Sequence, residues 1–257
     1  MNIDDLMIKS YLEGRDDYKS HWLFSSILDN GEYVFDKPKN EDKEKIREIY
    51  EKTYHSLENF IPYNAEMFST LFPEWKKLIN DVNIILAVGC PSPYDAMVRE
   101  YDGREYIIFD LVRFLEYEKE GEDILSVIRG MITHEITHIC VHADYPILNK
   151  TYIDKLSHIT FDEGFAHLLA FKDNIYSYDF SKMIALHYLE SINKLKEALL
   201  EKDIIKQKEY LEYANCGGYW SKFAAISGKL YLASNLENLY EIYKAGPSVM
   251  LMNIENM

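Results

Sequence analysis

The chain has 257 residues, of which 47% are hydrophobic and 28% charged, as is usual for a globular protein with a buried core. The 43 acidic residues outnumber the 28 lysines and arginines, which gives a formal net charge of −15. A surface this acidic repels phosphate backbones and anionic lipids, so neither nucleic acid nor a membrane surface is an expected partner.

The sequence favours a cytoplasmic protein. It has no apolar run long enough to predict a membrane span, and MNIDDLMIKSYLEG places two aspartates where a signal peptide has a basic region. Its three cysteines, Cys90, Cys140 and Cys216, are widely spaced and form no CxxC pair. This pattern is typical of reduced thiols and indicates neither a disulfide framework nor a cysteine metal site.

Residues 1–80 are expected to form a mainly helical N-terminal region. EYVFDKPKN contains one possible short strand, which Pro38 would stop. Residues 41–60 carry apolar side chains at helical spacing and predict an amphipathic helix. A second helix is predicted over residues 64–79.

A small sheet is predicted next, from the segments NIILAV (83–88), AMVREY (96–101) and REYIIFDL (104–111). Asp102-Gly103 between the last two indicates a type I′ hairpin turn. The chain after residue 122 is predicted to be helical, with breaks near Pro146, Gly217-Gly218 and Pro247. We therefore expect an α+β fold, in which a small antiparallel or mixed sheet of about three strands precedes a mainly helical part. Residues 81–257 would form the domain that carries the functional site, and the two ranges together are expected to make one compact unit.

The segment MITHEITHIC (131–140) carries the clearest chemical signal. Asp123 is predicted to cap a helix through this segment, which places His134 and His138 one turn apart on the same face. Two such imidazoles can hold one zinc ion at about 2.0–2.1 Å. Glu135 is rotated by about 100° from His134 and can act as general base and acid on a zinc-activated water. The HExxH pattern thus predicts a zinc-dependent hydrolase.

A third protein ligand is needed, and Glu163 in FDEGFAHLLA (161–170) is the favoured residue. Asp162 and Glu163 are predicted in the first turn of a helix, where carboxylates are favourable. Asp144 has the spacing of the last ligand in HExxHxxGxxH proteases, although Val141 replaces the glycine. His158, predicted in a loop, is another candidate, whereas His142 lies about 12 Å along the helix from His134.

HEITH followed by DEGFAHLLA resembles the gluzincin metallopeptidases, the thermolysin-like group with a glutamate ligand on a second helix. It is most similar to minor branches of predicted zinc-dependent peptidases with an EGxA motif, over roughly residues 80–235. The resemblance implies a zincin-like domain, Zn²⁺ bound by His134, His138 and Glu163, and Glu135 as general base and acid. His167 stands where thermolysin-like enzymes have an aspartate that contacts a ligand histidine. This difference implies either a different partner or a different supporting network.

The same resemblance implies a tyrosine that stabilises the oxyanion. Tyr219, which follows Gly217-Gly218 and opens an apolar helix, is the favoured residue, with Tyr213 and Tyr231 as rivals. The strand EYIIFDL is a candidate edge for pairing with an extended peptide, or else an ordinary internal strand.

The expected function is hydrolysis of a peptide or protein substrate by a cytoplasmic zinc metallopeptidase. One alternative is a non-catalytic, zinc-bound peptidase-like domain that binds a partner peptide. Another is a protease dedicated to one regulatory protein. The intact Glu135 favours catalysis, because a binding module needs no general base.

Overall fold

The computed structural model describes residues 1–26, 28–29, 32–33, 36, 43–92, 94–119, 121, 123–146 and 151–256. Its first elements are β1 (Asn2–Asp4), α1 (Leu6–Leu12), α2 (Trp22–Ser26), β2 (Leu28–Asp29), β3 (Glu32–Tyr33), α3 (Lys43–Glu58), α4 (Ala65–Leu71), α5 (Trp75–Leu78), β4 (Asn83–Ala87), β5 (Ala96–Tyr101), β6 (Arg104–Asp110) and α6 (Leu115–Lys119).

The elements that follow are all helical. They are α7 (Ile124–Asp144), α8 (Tyr152–Leu169), α9 (Ser181–Met183), α10 (Leu189–Leu200), α11 (Ile204–Tyr213), α12 (Phe223–Ala233), α13 (Leu239–Ala245) and α14 (Pro247–Glu255), with a π-helical segment (Ile184–Tyr188) joining α9 to α10. The predicted α+β class is confirmed, with a small mixed sheet followed by a mainly helical part.

The chain forms two compact units, each made of two segments. The first unit comprises Met1–Ile61 and Lys76–Met131, and the second comprises Pro62–Trp75 and Ile132–Met257. The predicted ranges, 1–80 and 81–257, place a single boundary after residue 80, which is not where these segments meet. The predicted ranges stay a prediction.

The first unit contains a four-stranded sheet with the order β1-β4-β6-β5. β4 pairs in parallel with β1 and β6, and β5 pairs antiparallel to β6. β4 is buried along nearly its whole length, as its uninterrupted apolar sequence predicts for a central strand. The predicted type I′ hairpin is confirmed, because Asp102 and Gly103 both have positive φ angles, 51° and 68°.

Two predictions in the first unit need correction. The strand EYIIFDL is not an edge, because β6 pairs with β4 on one side and β5 on the other. The short strand β1 was not predicted, and it completes the sheet beside β4. The predicted strand in EYVFDKPKN is present as β3, which pairs with β2, while Pro38 lies outside the described residues.

The predicted helix over 64–79 is also wrong as a single element. α4 ends at Leu71, before Pro73, and α5 begins at Trp75. Proline disfavours a helical conformation in the preceding residue and lacks the amide proton that a continuous helix needs.

The core of the second unit is built around α8 and α12. Gly164 and Gly228 bring the two backbones together, and a Cβ atom added at Gly228 would lie 1.9 Å from the carbonyl oxygen of Thr160. Every residue of α12 is buried. This close packing makes α8 a rigid support for the polar residues it carries.

Candidate metal centre

Two histidines on α7 converge as the HExxH pattern predicts. His134 and His138 lie one turn apart, and their Nε2 atoms are 3.0 Å from each other. The helix begins at Ile124, where the Asp123 carboxylate accepts a hydrogen bond from the amide of Leu125, so the predicted cap is confirmed. Both imidazoles are largely buried in the second unit.

Glu163 on α8 reaches the same point. Its Oε2 atom lies 3.7 Å from His134 Nε2 and 4.0 Å from His138 Nε2. Ligand atoms at about 2.0–2.1 Å from a tetrahedral zinc ion are separated by roughly 3.3–3.4 Å. The three predicted ligands are therefore within small side-chain movements of a zinc-binding arrangement. The other carboxylate oxygen, Oε1, accepts a 2.8 Å hydrogen bond from Asn215, which fixes the side chain.

His167 lies beside these residues, one helical turn after Glu163. Its Nε2 atom is 3.5 Å from Glu163 Oε2, and His134, Glu163 and His167 can each offer a ligand atom within 4.8 Å of the others. Among the described residues, His167 Nε2 is one of the buried side-chain atoms without a hydrogen-bond partner. His167 Nε2 thus lies beside the three predicted ligands, as a further group that a metal or a water bound to it could contact.

Asp162 supports the centre in a way that the sequence did not indicate. Its Oδ1 atom lies 2.8 Å from His138 Nδ1, the ring nitrogen on the side away from His134. A carboxylate in this position fixes the orientation of a ligand histidine and increases its basicity. The expected first-turn location of Asp162 and Glu163 is wrong, because α8 begins at Tyr152, with a capping box formed by Thr151 and Asp154.

The electrostatics of the centre follow from burial and from Asp162. Burial lowers the pKa of His138, but the contact with Asp162 and its charge outweigh this and raise that pKa to about 9. Burial also raises the pKa of Asp162, yet its contacts with His138 and His142 bring it well below the usual range. Burial and the charge of His138 hold the pKa of His134 well below its usual value. The low pKa of His134 favours a neutral imidazole that can bind a metal, whereas His138 has to release a proton before its Nε2 atom can do so.

Glu135 follows His134 on α7 and is partly buried. Its charge is among those that raise the pKa of His138, which places its carboxylate close to the centre. This location agrees with the flanking position that the HExxH pattern predicts for a general base.

Tyr219 is the predicted tyrosine that contacts a residue of the centre. Its ring lies edge-on to that of His167, with 5.4 Å between the centroids. Its hydroxyl oxygen accepts a 2.6 Å hydrogen bond from Lys229 Nζ. Of the two rivals, Tyr213 is exposed on α11 and Tyr231 is buried in α12.

Lys229 was missed from the sequence, although it is the one charged residue in the apolar helix FAAISGKLYLA. Its side chain is 0% exposed, and its Nζ atom lies 3.9 Å from the centroid of the Phe171 ring. Burial lowers the pKa of Lys229 to about 7. Burying the amine of a lysine costs free energy. Its presence here indicates that the contact between Lys229 and Tyr219 has a function.

The other predicted ligands have different surroundings. Asp144 Oδ2 accepts a 2.8 Å hydrogen bond from the Tyr243 hydroxyl. His158 does not lie in a loop but is buried within α8, where its ring stacks on that of His142 at 5.3 Å.

Comparison with protein-family models, with curated proteins and with solved structures gives no match to this chain. The resemblance to gluzincin peptidases consequently rests on the HExxH and EGxA motifs of the sequence and stays a prediction.

One described helix, α7, is long and apolar enough by length and composition to cross a membrane, and half of its apolar window is buried in the structure. The core helix of a globular protein passes the same test. The expectation that the chain has no membrane span stays a prediction.

Proposed function

We propose that the chain is a cytoplasmic zinc metallopeptidase that hydrolyses peptide bonds with an activated water. The observation that carries this proposal is the convergence of His134 Nε2, His138 Nε2 and Glu163 Oε2, with Glu135 directly after the first ligand. Two imidazoles and a carboxylate suit zinc, and zinc when bound supplies the Lewis-acid chemistry that makes water a nucleophile near neutral pH.

The protein holds its proposed ligands through a second layer of contacts. Asp162 orients His138, and Asn215 binds the Glu163 oxygen that faces away from the histidines. Such contacts keep each lone pair directed at a common point, because neither side chain is free to rotate.

Glu135 is proposed as the residue that moves the proton. A carboxylate beside the ligands accepts a proton from the attacking water and returns it to the amine that leaves when the peptide bond breaks. Its place on the same helix as both histidines keeps this geometry constant.

Tyr219 is proposed as the donor that stabilises the oxyanion of the tetrahedral intermediate. Because its oxygen already accepts a hydrogen bond from Lys229, the phenolic proton is left to donate toward the substrate. Lys229 acts as a positioning residue for this hydroxyl.

The thiols support a reducing compartment. Cys90 and Cys140 are buried, Cys216 is exposed, and all three are free. Disulfides form and persist in oxidising compartments. Three free thiols therefore agree with a cytoplasmic location.

The experiment is peptide-library cleavage by the zinc-loaded protein and by Glu135→Gln, with zinc content measured on both. The proposal predicts that Glu135→Gln keeps its zinc and loses at least about 100-fold in kcat. Glu209→Gln, an exposed change on α11, serves as the control and keeps full activity. Undiminished cleavage by Glu135→Gln overturns the assigned base. Retention of peptides without cleavage by the wild type overturns the enzymatic function.

A further inference from the structure

A second cluster of metal-binding side chains lies next to the proposed zinc ligands. His142, His158 and Asp162 can each offer one ligand atom within 4.8 Å of the others. His142 Nε2 is 3.0 Å from Asp162 Oδ2, and the rings of His142 and His158 stack with 5.3 Å between centroids. None of the three belongs to the set formed by His134, His138 and Glu163.

Helix geometry explains why these residues meet. His142 follows His138 by one turn on α7, so it continues the histidine stripe of that helix. His158 and Asp162 are one turn apart on α8 and share a face. Each helix therefore presents a row of ligand side chains, and the rows face each other at two successive levels.

Burial and charge favour a cation at the second level. His158 is 1% exposed and Asp162 is 6% exposed, so an anionic carboxylate is enclosed beside imidazole rings. The His142 side chain is 51% exposed, which opens the cluster to solvent on one side. Imidazole and carboxylate donors together suit zinc, nickel or cobalt, and water can complete the coordination from the open side.

We propose that His142, His158 and Asp162 form a second divalent-cation site, distinct from the proposed catalytic centre. Asp162 links the two, because its Oδ1 atom contacts His138 while Oδ2 faces His142. The exposed His142 side chain opens this site to solvent and makes it the weaker of the two. The inference does not depend on peptide hydrolysis.

The test is zinc stoichiometry by native mass spectrometry and titration calorimetry. The variants are His134→Ala, which damages only the first centre, His142→Ala, which damages only the second, and the double variant. His142 is exposed, so its replacement leaves the core intact. His158→Leu, a change of similar volume, removes the buried donor, and circular dichroism checks that it folds. His55→Ala, on α3 and outside both clusters, controls for zinc held by surface histidines.

The proposal predicts about two zinc ions per wild-type chain and about one in each single variant, with the tighter ion lost in His134→Ala. His142→Ala and His158→Leu both lose the weaker ion, and the double variant loses both. One ion in the wild type, with no change in His142→Ala or His158→Leu, would overturn the second site. This outcome does not affect the proposed peptidase activity. If the wild type binds two zinc ions but cleaves no peptide, only the proposed peptidase activity is overturned.

Discussion

The Asp162 carboxylate lies 2.8 Å from Nδ1 of His138, and this contact turns the opposite ring nitrogen toward His134 and Glu163. The pair links α8 to α7 at the level of the proposed zinc ion. Because Asp162 is anionic and nearly buried, it holds His138 in one orientation and makes the imidazole a better donor.

Asp162→Asn should weaken zinc binding by about 10- to 100-fold, because the amide has nearly the same shape but no negative charge. The measurement is competition with a chromophoric chelator in a His142→Ala background, in which only the first centre is expected to hold zinc. Asp154→Asn on the same helix is the control, since it changes a carboxylate of the capping box and no proposed zinc ligand, and it should leave zinc affinity unchanged. Equal affinity in Asp162→Asn and the wild type would contradict the supporting role.

Gly228→Ala should destabilise the protein by at least about 2 kcal/mol, because its Cβ would overlap the carbonyl of Thr160. The shift of α8 should also lower zinc affinity, since this helix carries Glu163. Urea denaturation of the apo protein measures the first effect. Gly218→Ala is the matched control, as its Cβ meets only Ser221 Oγ at 3.6 Å. A Gly228→Ala protein as stable as the wild type would show that the helices are not this close.

Lys229→Met should stabilise the folded protein near pH 7 by on the order of 2–4 kcal/mol and reduce kcat. The folded-state pKa of about 7 lies below the unfolded value of 10.5, so between these values the unfolded chain binds more protons. The unfolding free energy of the wild type therefore rises with pH across this window. The extra stability of Lys229→Met over the wild type decreases toward pH 10.

Chemical denaturation of both proteins at several pH values measures this difference, with exposed Lys208→Met as the control. If the difference in unfolding free energy between Lys229→Met and the wild type is the same at pH 7 and pH 10, Lys229 is charged in the folded protein. An increase in stability without a loss of kcat would remove Lys229 from the proposed mechanism.

Tyr219→Phe should lower kcat by about 10²- to 10³-fold and leave zinc content unchanged, because it removes the proposed hydrogen-bond donor, together with the acceptor of the Lys229 hydrogen bond, but no metal ligand. Tyr213→Phe, on the exposed face of α11, should be neutral. Steady-state kinetics on one cleaved peptide measures kcat for the three variants. If kcat falls more in Tyr213→Phe or Tyr231→Phe than in Tyr219→Phe, that other tyrosine is the donor.

Local patterns explain the features that were predicted correctly. The Asp102-Gly103 turn depends on two adjacent backbone conformations, and the start of α7 depends on Asp123 and the apolar residues that follow. The HExxH spacing likewise places His134 and His138 on one face of one helix. Each of these features is determined within a few residues of the chain.

The features that were missed depend on contacts between distant segments. Asp162 has its role because α8 faces α7, which brings its carboxylate to His138. The internal position of β6 follows from parallel pairing with β4, which no local pattern encodes. The sequence predicts a loop around His158, whereas in the structure Ser157 and His158 are buried within α8.

The most direct test of the proposed centre is X-ray diffraction at the zinc absorption edge, on crystals grown with one equivalent of zinc. We expect one anomalous peak at about 2.0–2.2 Å from His134 Nε2, His138 Nε2 and Glu163 Oε2. A zinc peak that lies away from His134 and Glu163, or the absence of any ordered peak, would contradict it.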